Sequence, residues 1–448
     1  MAAPHLNIPE SNSTVDVSII DTSFLISDTP SSYFFGPEIK GFEKFTANAY
    51  SFFITHTDRS TGKTTRLLFD LGPPKNWEHD LAPSLVELVH GWGAKIEIKK
   101  YVSDILEENG VSLDTIDAVV WSHPHWDHIG RPSLFPRTTT LIVGPGVKEA
   151  FAPGYPEKPT SPILSREFAD RKVTELDFST STLEIGGFKA LDYFGDGSLY
   201  FLSAPGHAVG HMVALARTAT ATSTSPSTYI LMGGDSFHHG SQLRPHRYVP
   251  LPDEIELPKL HHNTKSESKS DETVTVAAET TRRSTTINTT TTTKTNGSTG
   301  GTSSGPNIDA SHLCLCPGTL FESVHPTHRH IPAHYQAHMS AYHTDPKTTP
   351  FFTISQTEDG QTVAVDIDQA RATIRNLQPF DGADNVLVIA AHDITMADVI
   401  DTYFPNGRAN DWKQKGWKEK GRWRFLNDLL PAVEIAKQEE QEQQQQKA

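Results

Sequence analysis

Residues 122–130 run Ser-His-Pro-His-Trp-Asp-His-Ile-Gly, and no other stretch constrains the fold of this chain so strongly. Three imidazoles and one carboxylate fall at His123, His125, Asp127 and His128. The preceding run, 116–121, is mostly apolar and β-branched, the pattern of a buried strand ending at Ser122. Ligand-type side chains bunched just past a strand end project from a rigid edge into a loop, which suits a metal site. If the turn is locally extended, His123 and His125 share a side while Asp127 and His128 point elsewhere. That split suits two metals better than one.

Three later strands also finish on metal-binding side chains. Residues 198–202 lead into Ser-Ala-Pro-Gly-His207, 229–232 into Gly-Gly-Asp235, and 386–391 into His392. One site then takes His123, His125 and His207, a second takes Asp127, His128 and His392, and Asp235 is placed to bridge them. Imidazole and carboxylate donors suit zinc and neighbouring divalent ions. Cys314 and Cys316 are the only cysteines; one residue apart, they offer no disulfide framework and lack a third soft partner for a metal.

Composition narrows the partners. With 39 basic and 54 acidic residues the formal charge is −15, and no Lys/Arg-rich cluster stands out. Binding to nucleic acid, which needs local positive charge, is therefore not expected. Residues 1–14 lack the basic-then-apolar pattern of a signal peptide. No apolar run approaches the ~18–20 residues that span a bilayer. The expectation is a cytoplasmic protein acting on a small molecule, away from membranes.

Along the chain, strands are expected at 15–25, 49–56, 66–71, 140–143, within 178–202, and at 209–216, 229–232, 351–354 and 385–390. Helices are expected at 81–90, 98–109 and 367–377, with a solvated helical tail from Lys437. Strands interleaved with helices argue for a layered α/β fold. Residues 262–306 are Thr/Ser-rich, include a threonine run at 289–293, and are expected to be a disordered insertion. The expected organisation is one domain in two parts, 15–261 and 307–430, split by that insertion and followed by a polar tail, 431–448.

Taken together these residues resemble the metallo-β-lactamase superfamily. Its His-x-His-x-Asp-His signature is matched at 123–128, and Ala-Pro-Gly-His207, Gly-Gly-Asp235 and Ala-Ala-His392 follow in order. Asp70, in Leu-Phe-Asp-Leu-Gly, matches an early strand-end Asp that supports the metal loop. The similarity covers 48–393 apart from the insertion. It implies an αββα four-layer sandwich with two Zn²⁺ per chain at one edge of the sheets. A hydroxide bridging the metals would attack an ester or amide carbonyl, and Asp127 would carry the proton to the leaving group besides binding metal.

Residues 204–211 most resemble the N-acyl-homoserine lactonase-like branch. A tyrosine soon after the bridging Asp polarises the substrate carbonyl in that branch; here 236–239 read Ser-Phe-His-His, so a histidine is the candidate for that task. The implied function is opening of a lactone or lactam, in detoxification or secondary metabolism. A thioester hydrolase of the glyoxalase-II or polyketide-thioesterase type is the enzymatic alternative, disfavoured by the missing basic cluster. A His-rich metal-binding protein is the non-enzymatic one. His211 and Asp393 are expected to support neighbouring ligands and Trp126 to pack. His238 and His239 stand between pocket and surface, and the histidines between 325 and 343 are expected on a solvated or lid segment.

Overall fold

Alternation along the strands assigns side chains to layers. In Thr64–Phe69, Leu67 and Phe69 join one buried cluster while Leu68 joins another. Likewise in Val386–Ile389, Leu387 and Ile389 face the first of these clusters and Val386 and Val388 a third. Both strands are thus covered on both faces, as the near-continuous apolar runs require.

The structure is a computed structural model that describes residues 2–258, 313–328, 331–339 and 345–447. The insertion expected at 262–306 and the side chains of Cys314 and Cys316 lie outside the described residues. Residues Met1–Leu257 and Leu315–Ala448 form one compact unit, which holds everything described below; Pro258–Cys314 form a second.

A seven-stranded sheet runs in the order Lys95–Ile98, Asp16–Pro30, Lys44–Thr57, Thr64–Phe69, Ala118–Val120, Thr140–Val143, Val173–Glu175. Its first strands pair antiparallel, and the pairs from Thr64–Phe69 onward are parallel. A six-stranded sheet runs Val386–Ile389, Thr228–Met232, Met212–Ala219, Leu199–Ser203, Phe188–Asp192, Glu184–Ile185. Val17, Phe52, Phe69 and Val120 of the first sheet share one core with Phe201, Ala214, Met232 and Ile389 of the second. The outer face of the first sheet is covered by helices that include Pro83–Gly91 and Val102–Glu108, and that of the second by Ile367–Gly382. The layers are therefore α, β, β, α, as expected.

Among the boundaries that move, two have a plain physical cause. The helix expected over 98–109 starts only at Val102, because the alternating Lys-Ile-Glu-Ile run, Lys95–Ile98, is an edge strand paired with 24–27. The C-terminal helix begins at Leu430, seven residues before Lys437, because Ala432, Val433 and Ala436 are buried in the cluster on the outer face of the first sheet.

Candidate metal centre

The motif sits where parallel strands end. Trp121 donates its backbone N–H to Ile142 O at 3.0 Å, and the next amide, Ser122 N–H, turns to Asp70 Oδ1 at 2.6 Å. Asp70 holds this place at φ 61°, in the left-handed region. The chain then passes His123 and His125 and enters the short helix Trp126–Ile129. Trp126 turns away from the site and is buried, edge-on to Phe24 at 5.6 Å, so it anchors the motif from below. Gly130 closes the loop at φ 48°; a Cβ there would lie 2.3 Å from Leu71 Cβ, so only glycine lets the loop return against that strand end.

The other side chains arrive from the second sheet. His207 follows Leu199–Ser203 through Gly206, whose φ of 120° and close approach to Ala370 N (2.0 Å from an added Cβ) again demand glycine. Asp366 N–H and Val365 N–H donate to Gly206 O and His207 O, fastening this loop to the start of helix Ile367–Gly382. Asp235 follows Thr228–Met232, and His392 follows Val386–Ile389.

Two groups result, His123, His125, His207 and Asp235, and then Asp127, His128 and His392; within each, one donor atom per residue lies within 4.8 Å of the others. Asp235 faces both. Its Oδ2 is 3.6 Å from His123 Nε2 and 3.4 Å from His207 Nε2. Its Oδ1 is 3.0 Å from His128 Nε2 and 3.2 Å from His392 Nε2. Asp127 Oδ2 lies 3.3 Å from His392 Nε2. All seven side chains suggested by the sequence converge.

Outer partners set the tautomers. His128 Nδ1–H donates to Asp70 Oδ2 (2.9 Å) and His392 Nδ1–H to Asn48 O (2.6 Å). Ser122 Oγ–H donates to Asp70 Oδ2 (2.7 Å), leaving its oxygen to accept from His123 Nδ1–H (3.0 Å). Each of these rings therefore turns Nε2 inward as a free lone pair when neutral.

The donor set fits a divalent metal. His123 Nε2 is buried with no hydrogen-bond partner among the described residues. Imidazole nitrogens also face one another, His207 Nε2 and His125 Nδ1 at 2.9 Å and His128 Nε2 and His392 Nε2 at 3.2 Å. Two lone pairs at such distances repel unless a proton or a cation lies between them. Electrostatics divide the groups in the metal-free protein. Burial holds His123 and His207 well below, and His125 below, the usual histidine range. Burial acts the same way on His128 and His392 but is outweighed by Asp235, with Asp127 and, for His128, Asp70; His128 is raised well above its usual range and His392 to about 10.

The metallo-beta-lactamase superfamily profile matches residues 48–218. A gamma-lactamase, FDB1, of Fusarium pseudograminearum is 37% identical over 434 residues, covering 96% of this chain and 86% of the relative. The chain belongs to the metallo-beta-lactamase superfamily. It is a metal-dependent hydrolase of that superfamily. The metallo-hydrolase mfmC of Annulohypoxylon moriforme is 35% identical over 434 residues, 96% of this chain and 91% of the relative. Among solved structures, a quorum-quenching N-acyl homoserine lactone hydrolase is 16% identical with a TM-score of 0.36, covering 54% of this chain and 81% of that one.

The remaining histidines separate by environment. His211 lies behind Asp235: its Nδ1–H donates to Ala204 O (2.8 Å) and its Nε2 accepts the Asp235 N–H (3.0 Å), fixing the backbone of that residue. His238 is buried at the site, with Nε2 3.3 Å from Asp235 Oδ2 and its ring parallel to His392 at 5.8 Å. His239 belongs to the packing: it lies among Phe35, Phe42 and Phe425 and caps the short helix Gly240–Leu243. His325, expected on a solvated or lid segment, is fully buried, because Thr349 O and Thr327 satisfy both ring nitrogens. His343 and His330 lie outside the described residues. Asp393 accepts Thr395 Oγ1–H at 2.5 Å and so tightens the turn after His392.

The wall beside the site is not marked in the sequence. A cavity bordered by His207, Asp235 and His238 is otherwise lined by residues that include Phe34, Gln242, Ile354, Val363 and Thr373. Apolar residues in a wall carry the same sequence pattern as residues in a core, and Ile354, Val363 and Thr373 follow the low-complexity segment.

Proposed function

We propose that this hydrolase opens a cyclic amide or ester, with a γ-lactam the first candidate and a lactone the second. The observation that carries the reading is Asp235, whose two oxygens face two separate sets of imidazoles. In this reading His123, His125, His207 and one oxygen of Asp235 hold one Zn²⁺, and Asp127, His128, His392 and the other oxygen hold a second. Bound divalent ions would supply a shared hydroxide nucleophile at neutral pH and Lewis-acid activation of the carbonyl.

The chain's own groups do the rest. Asp127 is the more exposed cluster carboxylate, its side chain 18% accessible against 3% for Asp235, so it is the one able to pass a proton to the leaving atom. His238 borders the cavity beside Asp235, and its ring nitrogen can donate to the carbonyl oxygen as charge develops there. Its place is kept by Gln242, whose Oε1 accepts the His238 N–H at 2.8 Å. The name of the Fusarium relative, which aligns over nearly the whole chain, puts the lactam ahead of the lactone. A thioester of coenzyme A or glutathione fits poorly, since no Lys or Arg among the described residues lines the cavity.

Metal analysis of the purified protein, with a hydrolysis panel of γ-lactams, γ-lactones and thioesters, tests the proposal. About two tightly held ions and turnover of a lactam or lactone are expected. Turnover of thioesters alone would overturn it. Alanine at His123 or Asp127 should abolish turnover while leaving the circular dichroism spectrum unchanged.

A further inference from the structure

The cavity beside the metal centre has a volume of about 10 Å³. That is room for about one water, whereas pockets for drug-sized ligands run from roughly 300 to 1,000 Å³. Its walls come from distant parts of the chain. Phe34 stands 4.7 Å from the His238 ring. Ile354 lies in the strand Thr353–Ile354, paired with Phe35–Gly36 beside it, and Val363, 38% exposed, forms the outer edge.

The polar residues of the wall are already engaged. Gln242 Nε2–H donates to Phe34 O (2.9 Å) while Gln242 Oε1 accepts the His238 N–H (2.8 Å). Thr373 Oγ1–H donates to Pro205 O (2.8 Å), and Ser236 Oγ–H to Gly233 O (2.8 Å). Toward a ligand the wall therefore presents apolar surface, and His238 and the cluster residues carry the polar groups. A polar or charged substituent placed against it would lose its hydration without gaining a partner.

We propose that Phe34, Ile354 and Val363 form a size and polarity filter that restricts substrates to compact, apolar rings and rejects those bearing a long acyl or alkyl chain. The inference rests on the reading above only for which centre the filter serves. Phe34 is the adjustable part. Its carbonyl is held by both Gln242 Nε2–H and Ser355 N–H (3.2 Å), so its backbone is fixed, while its half-buried ring, packed edge-on to Phe45 (5.3 Å), is the part a ligand would have to rotate aside. A ring-sized ligand asks only for that rotation. A longer chain must separate the paired strands Phe35–Gly36 and Thr353–Ile354.

The test uses straight-chain carboxylates as probes, because a carboxylate can bind a metal centre whatever the reaction. Acetate, butanoate, hexanoate and decanoate are titrated calorimetrically into the zinc-loaded protein, its Phe34→Ala and Val363→Ala variants, and Ile354→Val as the mildest change. The expected result is at least a tenfold loss of affinity from butanoate to decanoate in the native protein, and a decanoate-to-butanoate ratio raised at least tenfold in Phe34→Ala or Val363→Ala. Affinity that is flat or rising with chain length, a ratio unchanged in every variant, or no carboxylate binding at all overturns the filter. The hydrolysis panel is read separately. A size-dependent carboxylate profile without lactam or lactone turnover sinks the reaction assignment and leaves the filter standing. Turnover with a flat profile does the reverse.

Discussion

At the scale of single residues, Asp70 lies outside both groups of candidate ligands yet governs the geometry of each. One oxygen accepts the Ser122 amide; the other accepts both the Ser122 hydroxyl and His128 Nδ1–H, and the Ser122 hydroxyl in turn holds His123. A single carboxylate thus orients one imidazole in each group. Asp70→Asn keeps the shape but replaces one oxygen with a donor. Outer partners of metal-binding histidines are worth about 10–100-fold in metal affinity. Zinc affinity measured by chelator competition should fall by that factor, and unaltered affinity would remove Asp70 from the role. His238 poses a different question, since it touches the cavity and lies outside both groups. His238→Phe should lower kcat by about 10²–10³, the usual cost of losing one donor to a developing oxyanion, with metal content unchanged. Metal loss matching the loss of rate would make His238 a ligand instead. The side chains proposed to hold metal were legible in the sequence because their chemistry is rare and clustered. Asn48 was not, because it acts through its backbone carbonyl, which any residue has.

At the scale of elements, most strands and helices were legible as periodic runs, and the failures have physical causes. Lys95–Ile98 alternates over only four residues, too few to stand apart from the helix that follows. His325 misled because a histidine-rich segment looks solvated until its partners are known. In the fold its ring packs 4.8 Å from Phe351, Nε2–H donates to Thr349 O at 2.9 Å, and Nδ1 accepts from Thr327. Burial lowers its pKa from 6.5 to about 4. Between those values the unfolded chain takes up a proton that the folded chain refuses. The stability His325 confers is therefore complete above pH 6.5 and is lost as pH falls toward 4. At pH 5 the loss is on the order of 2 kcal/mol. Denaturant midpoints should fall less between pH 7 and pH 5 in His325→Gln than in the native protein. His211, also lowered to about 4 by burial, contributes to both curves and cancels in the difference. Parallel curves would show that His325 titrates as an exposed histidine does.

At the scale of the whole molecule, the outer layer over the second sheet is tied to the strand that carries His392. Lys418, on the helix Trp417–Gly421, is buried and donates to Ala383 O at 2.6 Å and Val386 O at 2.5 Å. These carbonyls flank the point where helix Ile367–Gly382 hands over to Val386–Ile389. Burial lowers the Lys418 pKa from 10.5 to about 7, with Asp381 opposing and Arg422 and Arg244 reinforcing the shift. A neutral amine carries two N–H groups, which matches the two carbonyls it meets. The sign follows from the direction of the shift. Between about pH 7 and 10.5 the unfolded chain keeps the proton that the folded chain releases, so this group adds stability as pH rises through that window. The gradient approaches about 1.4 kcal/mol per pH unit at its steepest. Lys418→Met removes the titration and orphans both carbonyls, so it should be less stable than the native protein, and the gap should widen by about 2 kcal/mol between pH 7 and pH 9. Chemical denaturation of both proteins across that range, in chelator to keep metal binding out of the comparison, measures the gap directly. A gap that stays constant with pH would mean that Lys418 remains charged inside the fold, and that its place is held by the carbonyls as a cation rather than as an amine.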